Sequence, residues 1–232
     1  MKLNSGVRWV DNGLTTSLKA MQVQSALINI ANENVTGFDK VGYQRKEAVV
    51  SSFTEFMGVN GISTTVDDQV GRITNTGNPL DLALAAKGYF QVQSKDGVKL
   101  TRDGRFKLDK DGNLLTLDEA KVLSESGMPV KLHVIPENLG QIVVNSKGGL
   151  SVLNKKTNKM EFVARIGVVE SNGVISMNPE VKQGYNEYSN VSLQNEFFGM
   201  MAPLRTFDAN RQMFMIESAN LSKAISQLGS AS

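Results

Sequence analysis

The feature that most constrains this sequence is a long heptad-like row of residues near its C-terminus. From Phe197 to Leu228, successive members of the row lie three or four residues apart in alternation. The apolar members are Phe197, Met200, Leu204, Phe207, Phe214, Leu221, Ile225 and Leu228, and the polar members are Arg211 and Ser218. This spacing is typical of an α-helix that buries a narrow seam against another helix. Pro203 lacks an N–H group, so it is predicted to kink this helix or to occupy its first turn.

A second helix with the same spacing is predicted close to the N-terminus, from about Gly13 to Val35. Its row consists of Leu14, Leu18, Met21, Ser25, Ile28, Asn32 and Val35. A further row, made of Ala20, Val23, Leu27, Ile30 and Ala31, widens the apolar face. The helix is predicted to end between Asn34 and Gly37, because Asn and Thr side chains compete there for backbone hydrogen bonds and glycine tolerates a left-handed C-cap.

Helices with narrow seams at opposite ends of one chain can bury those seams with each other, with other copies, or with both. Polar residues interrupt both seams, so a lone helix pair is predicted to be marginal. The helices are expected to become ordered when copies stack around a common axis. Asn29, Asn32 and Asn34 fit such a wall of helices, because an amide side chain can both donate and accept hydrogen bonds to neighbouring chains.

Between the predicted helices the apolar period changes from helical to two, which is the period of a β-strand. Asp-Gly pairs occur at residues 96–97, 103–104 and 111–112, each between β-prone stretches. Asp-Gly in this setting is the strongest short-range signal for a β-hairpin. A hairpin is therefore predicted at each of the three pairs.

The predicted fold class is α+β, with long N- and C-terminal helices pairing as a coiled coil and a central all-β domain of short antiparallel strands. The predicted segments are an N-terminal axial helix (1–37), an extended arm or linker (38–71), the central β domain (72–182), and a return segment with the C-terminal axial helix (183–232). The strand pattern fits both a sandwich and a partly open barrel.

The composition excludes several classes of function. A formal net charge of +2, with Lys and Arg interspersed among Asp and Glu, offers no concentrated field for nucleic acid. The chain has no Cys, which excludes disulfides, thiolate metal sites and cysteine nucleophiles. No apolar run is long enough for a bilayer span or for a cleaved secretory signal, so no membrane insertion is expected.

Enzymatic chemistry is not expected from the candidate residues. His133 is the only histidine, and the alternating stretch VKLHVIP favours an ordinary strand residue over a catalytic or metal-binding one. The stretch DKDGN at 109–113 could suggest calcium, but it lacks the remaining ligands of an EF-hand loop and is explained by a hairpin turn. Acidic residues such as Asp81 and Glu119 could pair for glycoside hydrolysis, yet acidic turn residues are ordinary. No cofactor or metal site is therefore predicted.

Four stretches of the sequence resemble, in order, the signature segments of bacterial flagellar basal-body rod and hook proteins. They are GLTTSLKAMQVQSALINIANENVTGF, GRITNTGNPLDLALAAKGYFQV, LTRDGRFKLDKDGNLLTL and QGYNEYSNVSLQNEFFGMMAPLRTFDANRQMF. The succession of TGNPLDLAL, GYF and TRDGRF is highly specific, and the match spans most of the chain.

The resemblance implies terminal helices that form an inner coiled-coil tube, a β domain on the outside, and no catalysis. It implies a rod protein rather than a hook protein, because the chain is too short for the extra outer domains of a hook. The implied partners are other copies of the chain, neighbouring rod and hook subunits, and the flagellar type III apparatus, which exports the unfolded chain. The implied location is the flagellar basal body, outside the cytoplasmic membrane and in the periplasm of a Gram-negative cell.

The helical seams and the resemblance together predict one axial assembly interface. The resemblance places Arg205, Phe207 and Asn210 where the family has an Arg, an aromatic residue and an Asn, and its Asn-Ile-Ala-Asn match falls on residues 29–32. The predicted interface consists of Leu14, Leu18, Met21, Ile28, Asn29, Asn32, Val35, Phe197, Met200, Leu204, Arg205, Phe207, Asn210, Phe214, Leu221, Ile225 and Leu228.

A second hypothesis belongs to another functional class. The chain could be a secreted, oligomeric β-rich module that binds carbohydrate or a surface ligand, with helices that only oligomerise it. Such a module is expected to expose an aromatic platform on its β domain. The one Trp, Trp9, lies in the N-terminal segment instead, which favours a structural subunit of the rod, the shaft that transmits torque.

Overall fold

The computed structural model describes residues 13–51, 58–155 and 157–230. The parts of the predicted segments at residues 1–12, 52–57, 156 and 231–232, including Trp9, lie outside the described residues. The two predicted helices are present as α1 (Gly13–Gly37) and α2 (Leu193–Ser230). Short 3-10 helices occupy Gly58–Gly61 and Leu139–Gln141.

The strands between the helices are short. They are β1 (Lys46–Val50), β2 (Ile62–Val66), β3 (Ile73–Asn75), β4 (Leu82–Leu84), β5 (Tyr89–Ser94), β6 (Gly97–Thr101), β7 (Phe106–Leu108), β8 (Leu114–Thr116), β9 (Lys121–Val122), β10 (Ile142–Val144), β11 (Gly149–Asn154), β12 (Lys159–Arg165), β13 (Val168–Val169), β14 (Val181–Gln183) and β15 (Tyr185–Glu187). All described pairings between these strands are antiparallel, which confirms an α+β chain with a central antiparallel β domain.

The chain divides into two compact units. The first unit contains α1 up to Val35, the hairpin β1–β2, and α2. The second unit contains residues 36–45 and 67–191. The segment 38–71, which was predicted to be an extended arm, therefore includes the hairpin β1–β2, in which Lys46 pairs with Val66.

The second unit holds the main hydrophobic core. A six-stranded sheet in the order β13-β5-β9-β8-β7, with β6 beside β5, joins a three-stranded sheet β10-β11-β12 and the pairs β14-β4 and β15-β3. Buried apolar side chains from these strands, apart from the pair β15-β3, form one cluster, in which Phe90 and Phe106 pack edge to face with ring centroids 5.2 Å apart. Several small sheets thus share one core because each is too short to bury its apolar face alone.

Two of the three Asp-Gly hairpins are confirmed. Residues 95–96 connect β5 to β6, and the turn at 109–113 connects β7 to β8. The hairpin predicted at residues 103–104 is wrong, because Gly104 instead accepts a hydrogen bond from the Leu82 N–H at 2.9 Å. A side chain at Gly104 would overlap the Leu82 carbonyl oxygen, so the glycine there permits a close approach between distant backbone segments.

Candidate assembly surface

Helices α1 and α2 run in opposite directions within the first unit, as two contacts show. Near the end of α1, the Asn34 amide donates a hydrogen bond to the Glu196 carboxylate at 3.1 Å. At the start of α1, Gly13 lies so close to Glu217 that any side chain would overlap the Glu217 carboxylate. Asn34 lies 21 residues after Gly13, and Glu217 lies 21 residues after Glu196, so equal lengths of the two helices separate these contacts.

The Asn34 side chain ties together three segments of the first unit. Its Nδ2 donates to the Lys46 carbonyl at 2.9 Å, and its Oδ1 accepts from the Lys46 N–H at 2.8 Å. The amide thereby joins the first residue of β1 to α1, in addition to the Glu196 contact. Asn34 is buried, so its amide contacts lie within the chain, whereas the sequence suggested bonds to neighbouring chains.

One face of α2 is covered, and its residues are again three or four apart. The covered residues are Glu196 and Met200, which are buried, and Pro203, Phe207, Asn210, Phe214 and Glu217, which are half-buried. The predicted seam shares Met200, Phe207 and Phe214 with this face. The remaining seam residues were predicted one position too late in the sequence: Glu196 is covered where Phe197 was predicted, and Phe197 is exposed. Pro203 is the eleventh residue of α2 and thus does not occupy the first turn.

The covered face of α1 follows a different row from the predicted seam. Ser17, Val23 and Asn34 are its buried residues besides the terminal Gly37. The predicted seam residues Leu14, Met21, Ile28 and Val35 are half-buried, and Leu18, Asn29 and Asn32 are exposed. The second apolar row seen in the sequence, which contains Val23, therefore contributes the most buried apolar side chain of α1.

The exposed side of α2 carries an apolar surface. Near its start, Phe197, Phe198, Met201 and Leu204 are 47% to 63% exposed, and these four residues are called the outer stripe here. Near its end, Leu221, Ile225 and Leu228 are also exposed. Arg205 is exposed as well, and Asn210 donates to the Thr206 carbonyl within α2 at 2.9 Å. Contiguous exposed apolar residues of this size mark interaction surfaces.

A buried ion pair in the second unit was not foreseen from the sequence. Arg102 and Glu187 have side chains 0% and 3% exposed, and Nε and Nη2 of Arg102 lie 2.8 and 2.7 Å from Oε2 of Glu187. The remaining guanidinium donors bond to the carbonyls of Leu84, Ala86 and Gly88 at 2.8 to 3.1 Å.

The other oxygen of the Glu187 carboxylate is also bonded, because Oε1 accepts from the Gly71 N–H at 2.9 Å. Burial raises the pKa of the Glu187 carboxyl, against the opposing effects of Arg102 and the Gly71 N–H. The pair thus anchors segments from four distant parts of the sequence. The TRDGRF motif contains Arg102 and Arg105, but the motif alone does not tell which of these two arginines is buried.

The residues considered for enzyme or metal chemistry have other environments. His133 is exposed and lies in a bend. The strand predicted at VKLHVIP is therefore wrong, because the only β pairing in this stretch is an isolated bridge between Lys131 and Asn113. Asp109 accepts from the side chain and N–H of Asn113 at 2.7 and 2.8 Å, and these bonds lower the pKa of the Asp109 carboxyl. Within residues 13–51, 58–155 and 157–230, no cluster of His, Cys, Asp and Glu could hold a metal ion.

The helices of the described part of the chain are not of the membrane-spanning kind. Neither α1 nor α2 combines the length and the apolar character that crossing a bilayer requires.

Comparison with known proteins places the chain among flagellar proteins. Residues 83–152 match the family described as "Flagellar hook protein FlgE/F/G D1 domain". The "Flagellar basal-body rod protein FlgF" of Caulobacter vibrioides is 30% identical over 203 residues, which cover 85% of this chain and 75% of that protein.

Two further relatives align over most of both chains. The "Flagellar basal-body rod protein FlgF" of Rhizobium meliloti is 25% identical and covers 95% of this chain and 99% of its own length. The "Flagellar basal-body rod protein FlgG" of Bacillus subtilis is 28% identical and covers 80% of this chain and 85% of its own length. The chain therefore belongs to the flagellar basal-body rod proteins, a structural family, and is not an enzyme.

Proposed function

We propose that this chain polymerises through its two terminal helices into the axial shaft of the flagellar rod and there transmits torque. The observation that carries the proposal is the outer stripe of α2, whose four large apolar side chains stay about half exposed on the side that α1 leaves uncovered. Such a surface has no role in a chain that acts alone, whereas a second copy can bury it.

The magnitude of this burial favours a polymer over an isolated pair of copies. Burying a large apolar side chain fully is worth roughly 1.5–3 kcal/mol, so a half-exposed one has about 1 kcal/mol left to gain. The outer stripe thus offers about 4 kcal/mol, which is near the lower limit of the entropic cost of association, about 4–15 kcal/mol. Several such contacts per copy are needed, and a shaft in which each copy touches several neighbours supplies them.

The predicted interface residues divide by burial under this proposal. Leu14, Met21, Ile28 and Val35 of α1 and Asn210 of α2 are half-buried and serve the pairing of the two helices. Met200, Phe207 and Phe214 lie on the covered face of α2 and serve a coiled-coil pairing within the chain. The exposed residues serve contacts between copies; they are Leu18, Asn29, Asn32, Phe197, Leu204, Arg205, Leu221, Ile225 and Leu228.

The same proposal includes the route and place of assembly. Copies travel as unfolded chains through the flagellar type III export apparatus and assemble with neighbouring rod and hook subunits outside the cytoplasmic membrane, in the periplasm of a Gram-negative cell. The family membership favours this function over a β-rich module that binds carbohydrate.

The proposal is tested by placing charge on the outer stripe. The double variant Phe198→Asp/Leu204→Asp should abolish rod completion and swimming when it replaces the wild-type chain in cells, because two desolvated carboxylates oppose association. Both side chains are exposed, so folding should be preserved, which circular dichroism of the purified chain checks.

The matched control is Gln212→Asp, an exposed polar position on the same helix, and it should swim normally. Normal swimming by the double variant at wild-type protein levels would refute assembly through the outer stripe.

A further inference from the structure

Helix α2 carries four of the ten methionines of the chain, at residues 200, 201, 213 and 215. Met200 and Met201 are neighbours in sequence but differ in burial, because Met200 is 9% exposed and Met201 is 47% exposed. Met200 belongs to the covered face of α2, whereas Met201 is a member of the outer stripe. Two adjacent thioethers of the same chemistry are thus presented to solvent to very different extents.

This difference in exposure decides which thioether a dissolved oxidant reaches first. A peroxide transfers one oxygen atom to the sulfur of Met: an S–O bond forms, the O–O bond breaks, the sulfur is oxidised to the sulfoxide, and the peroxide is reduced to water. A buried Met is attacked only after a local opening of the structure, so its oxidation is slower by the equilibrium constant of that opening. Met177, which is 96% exposed on the loop between β13 and β14, sets the rate of an unprotected thioether.

Oxidation of Met201 changes what the outer stripe can pack against. The unmodified side chain is apolar and flexible, and a thioether packs well against aromatic rings such as those of Phe197 and Phe198, which lie one helical turn before it. A sulfoxide is polar, and burying it without a hydrogen-bond donor is unfavourable. Phe197, Phe198 and Leu204, the other members of the outer stripe, have no side-chain donor. The sulfoxide therefore opposes burial of the stripe by a second copy.

We propose that a peroxide oxidises Met201 of the free chain to the sulfoxide and thereby blocks the entry of that chain into the rod. The site of modification follows from exposure within the single chain, whereas its effect on assembly rests on the function proposed above. A neighbouring copy that buries the outer stripe also shields the thioether, so the modification acts on copies that have not yet joined the shaft. A methionine sulfoxide reductase reverses it.

The first part of the test measures oxidation of the purified full-length chain. The chain is exposed to hydrogen peroxide for increasing times, and the sulfoxide at each Met is quantified by mass spectrometry with fragment ions that separate residue 200 from residue 201. We expect Met201 to be oxidised at least about tenfold faster than Met200, a ratio that corresponds to a local opening of at least about 1.4 kcal/mol at Met200. Met177 serves as the fully exposed standard. Equal rates at Met200 and Met201 would overturn the assignment of the site.

The second part measures the effect on assembly in cells. Met201→Leu keeps an apolar side chain of similar size that a peroxide does not oxidise. The strain that carries it should swim normally, and it should complete rods at a hydrogen peroxide concentration that leaves growth unaffected but prevents rod completion in the wild-type strain. The matched control is Met213→Leu, because Met213 is 53% exposed and lies about 120° further around α2. This control should remain as sensitive to peroxide as the wild type.

The outcomes separate this inference from the proposed function. If Phe198→Asp/Leu204→Asp abolishes swimming but Met201→Leu gives no protection, or Met213→Leu protects equally, the effect of Met201 oxidation on assembly is refuted and the rod function stands. If the double variant swims normally, the outer stripe is not the assembly surface. The effect on assembly is then refuted together with the proposed function, and the oxidation rates of the purified chain alone decide whether Met201 is a site of modification.

Discussion

Replacing Arg102 by Met tests whether the buried ion pair holds the second unit together. The variant keeps most of the side-chain volume but leaves the Glu187 carboxylate, 3% exposed, without its guanidinium partner. It also removes donors from the carbonyls of Leu84, Ala86 and Gly88. Breaking a buried pair by removing one partner typically costs about 3–5 kcal/mol, so we expect a loss of about 4 kcal/mol in the free energy of unfolding.

The measurement must report on the second unit alone. Pulsed hydrogen–deuterium exchange across a urea series, read on peptides from β5 and β8, gives the unfolding midpoint of these core strands independently of the helices. When this unit unfolds in a two-state manner, its unfolding midpoint converts into a free energy of unfolding.

The control is Arg105→Met, three residues further along the same motif. Arg105 pairs with Asp103 at 2.6 Å, but both side chains are about one-third exposed. Solvent screens such a pair, so its loss should cost less than about 1 kcal/mol. The double variant Arg102→Met/Glu187→Leu should recover part of the stability, because no buried charge is left unpaired. Equal destabilisation by the Arg102 and Arg105 variants would refute the reasoning.

Two further predictions concern local polar contacts. Asn34→Ala should raise the hydrogen-exchange rate of the Lys46 backbone amide about 30- to 150-fold, because a buried hydrogen-bonding group left unpaired costs roughly 2–3 kcal/mol. Asn32 is exposed on the same helix, so Asn32→Ala should leave that rate unchanged. Asp109→Ala should lower the thermal midpoint at neutral pH. The difference from wild type should be complete above 3.8, the ordinary pKa of an Asp, and should vanish as the pH falls through the lowered pKa of the folded state, where the carboxyl becomes protonated; a difference that persists in stronger acid would contradict the role of the Asn113 bonds.

Local signals in the sequence were sufficient for the two helices and for two of the hairpins. The heptad row from Phe197 to Leu228 predicted α2, and the row with the same spacing from Leu14 to Val35 predicted α1. The Asp-Gly pairs at 96–97 and 111–112 predicted hairpins that the structure contains. Such elements depend on residues close in sequence, since helical period and turn conformation are properties of a few consecutive residues. The order of the family motifs added the flagellar assignment.

Contacts between residues distant in sequence decided which of several similar residues make tertiary contacts. The pair at 103–104 has the same letters as the other two Asp-Gly pairs, but Gly104 is used for a close approach to Leu82. Asn29, Asn32 and Asn34 are alike in sequence, and only Asn34 meets β1 and α2.

The covered face of each helix was likewise decided in three dimensions, because on α2 the column with Glu196 and Pro203 is covered although the neighbouring column with Phe197 and Leu204 is the more apolar. The sequence by itself determined the two helices, two of the hairpins and the family to which the chain belongs. The tertiary structure decided which polar groups are buried, because a buried amide or guanidinium is stable only where distant segments supply its hydrogen-bond partners.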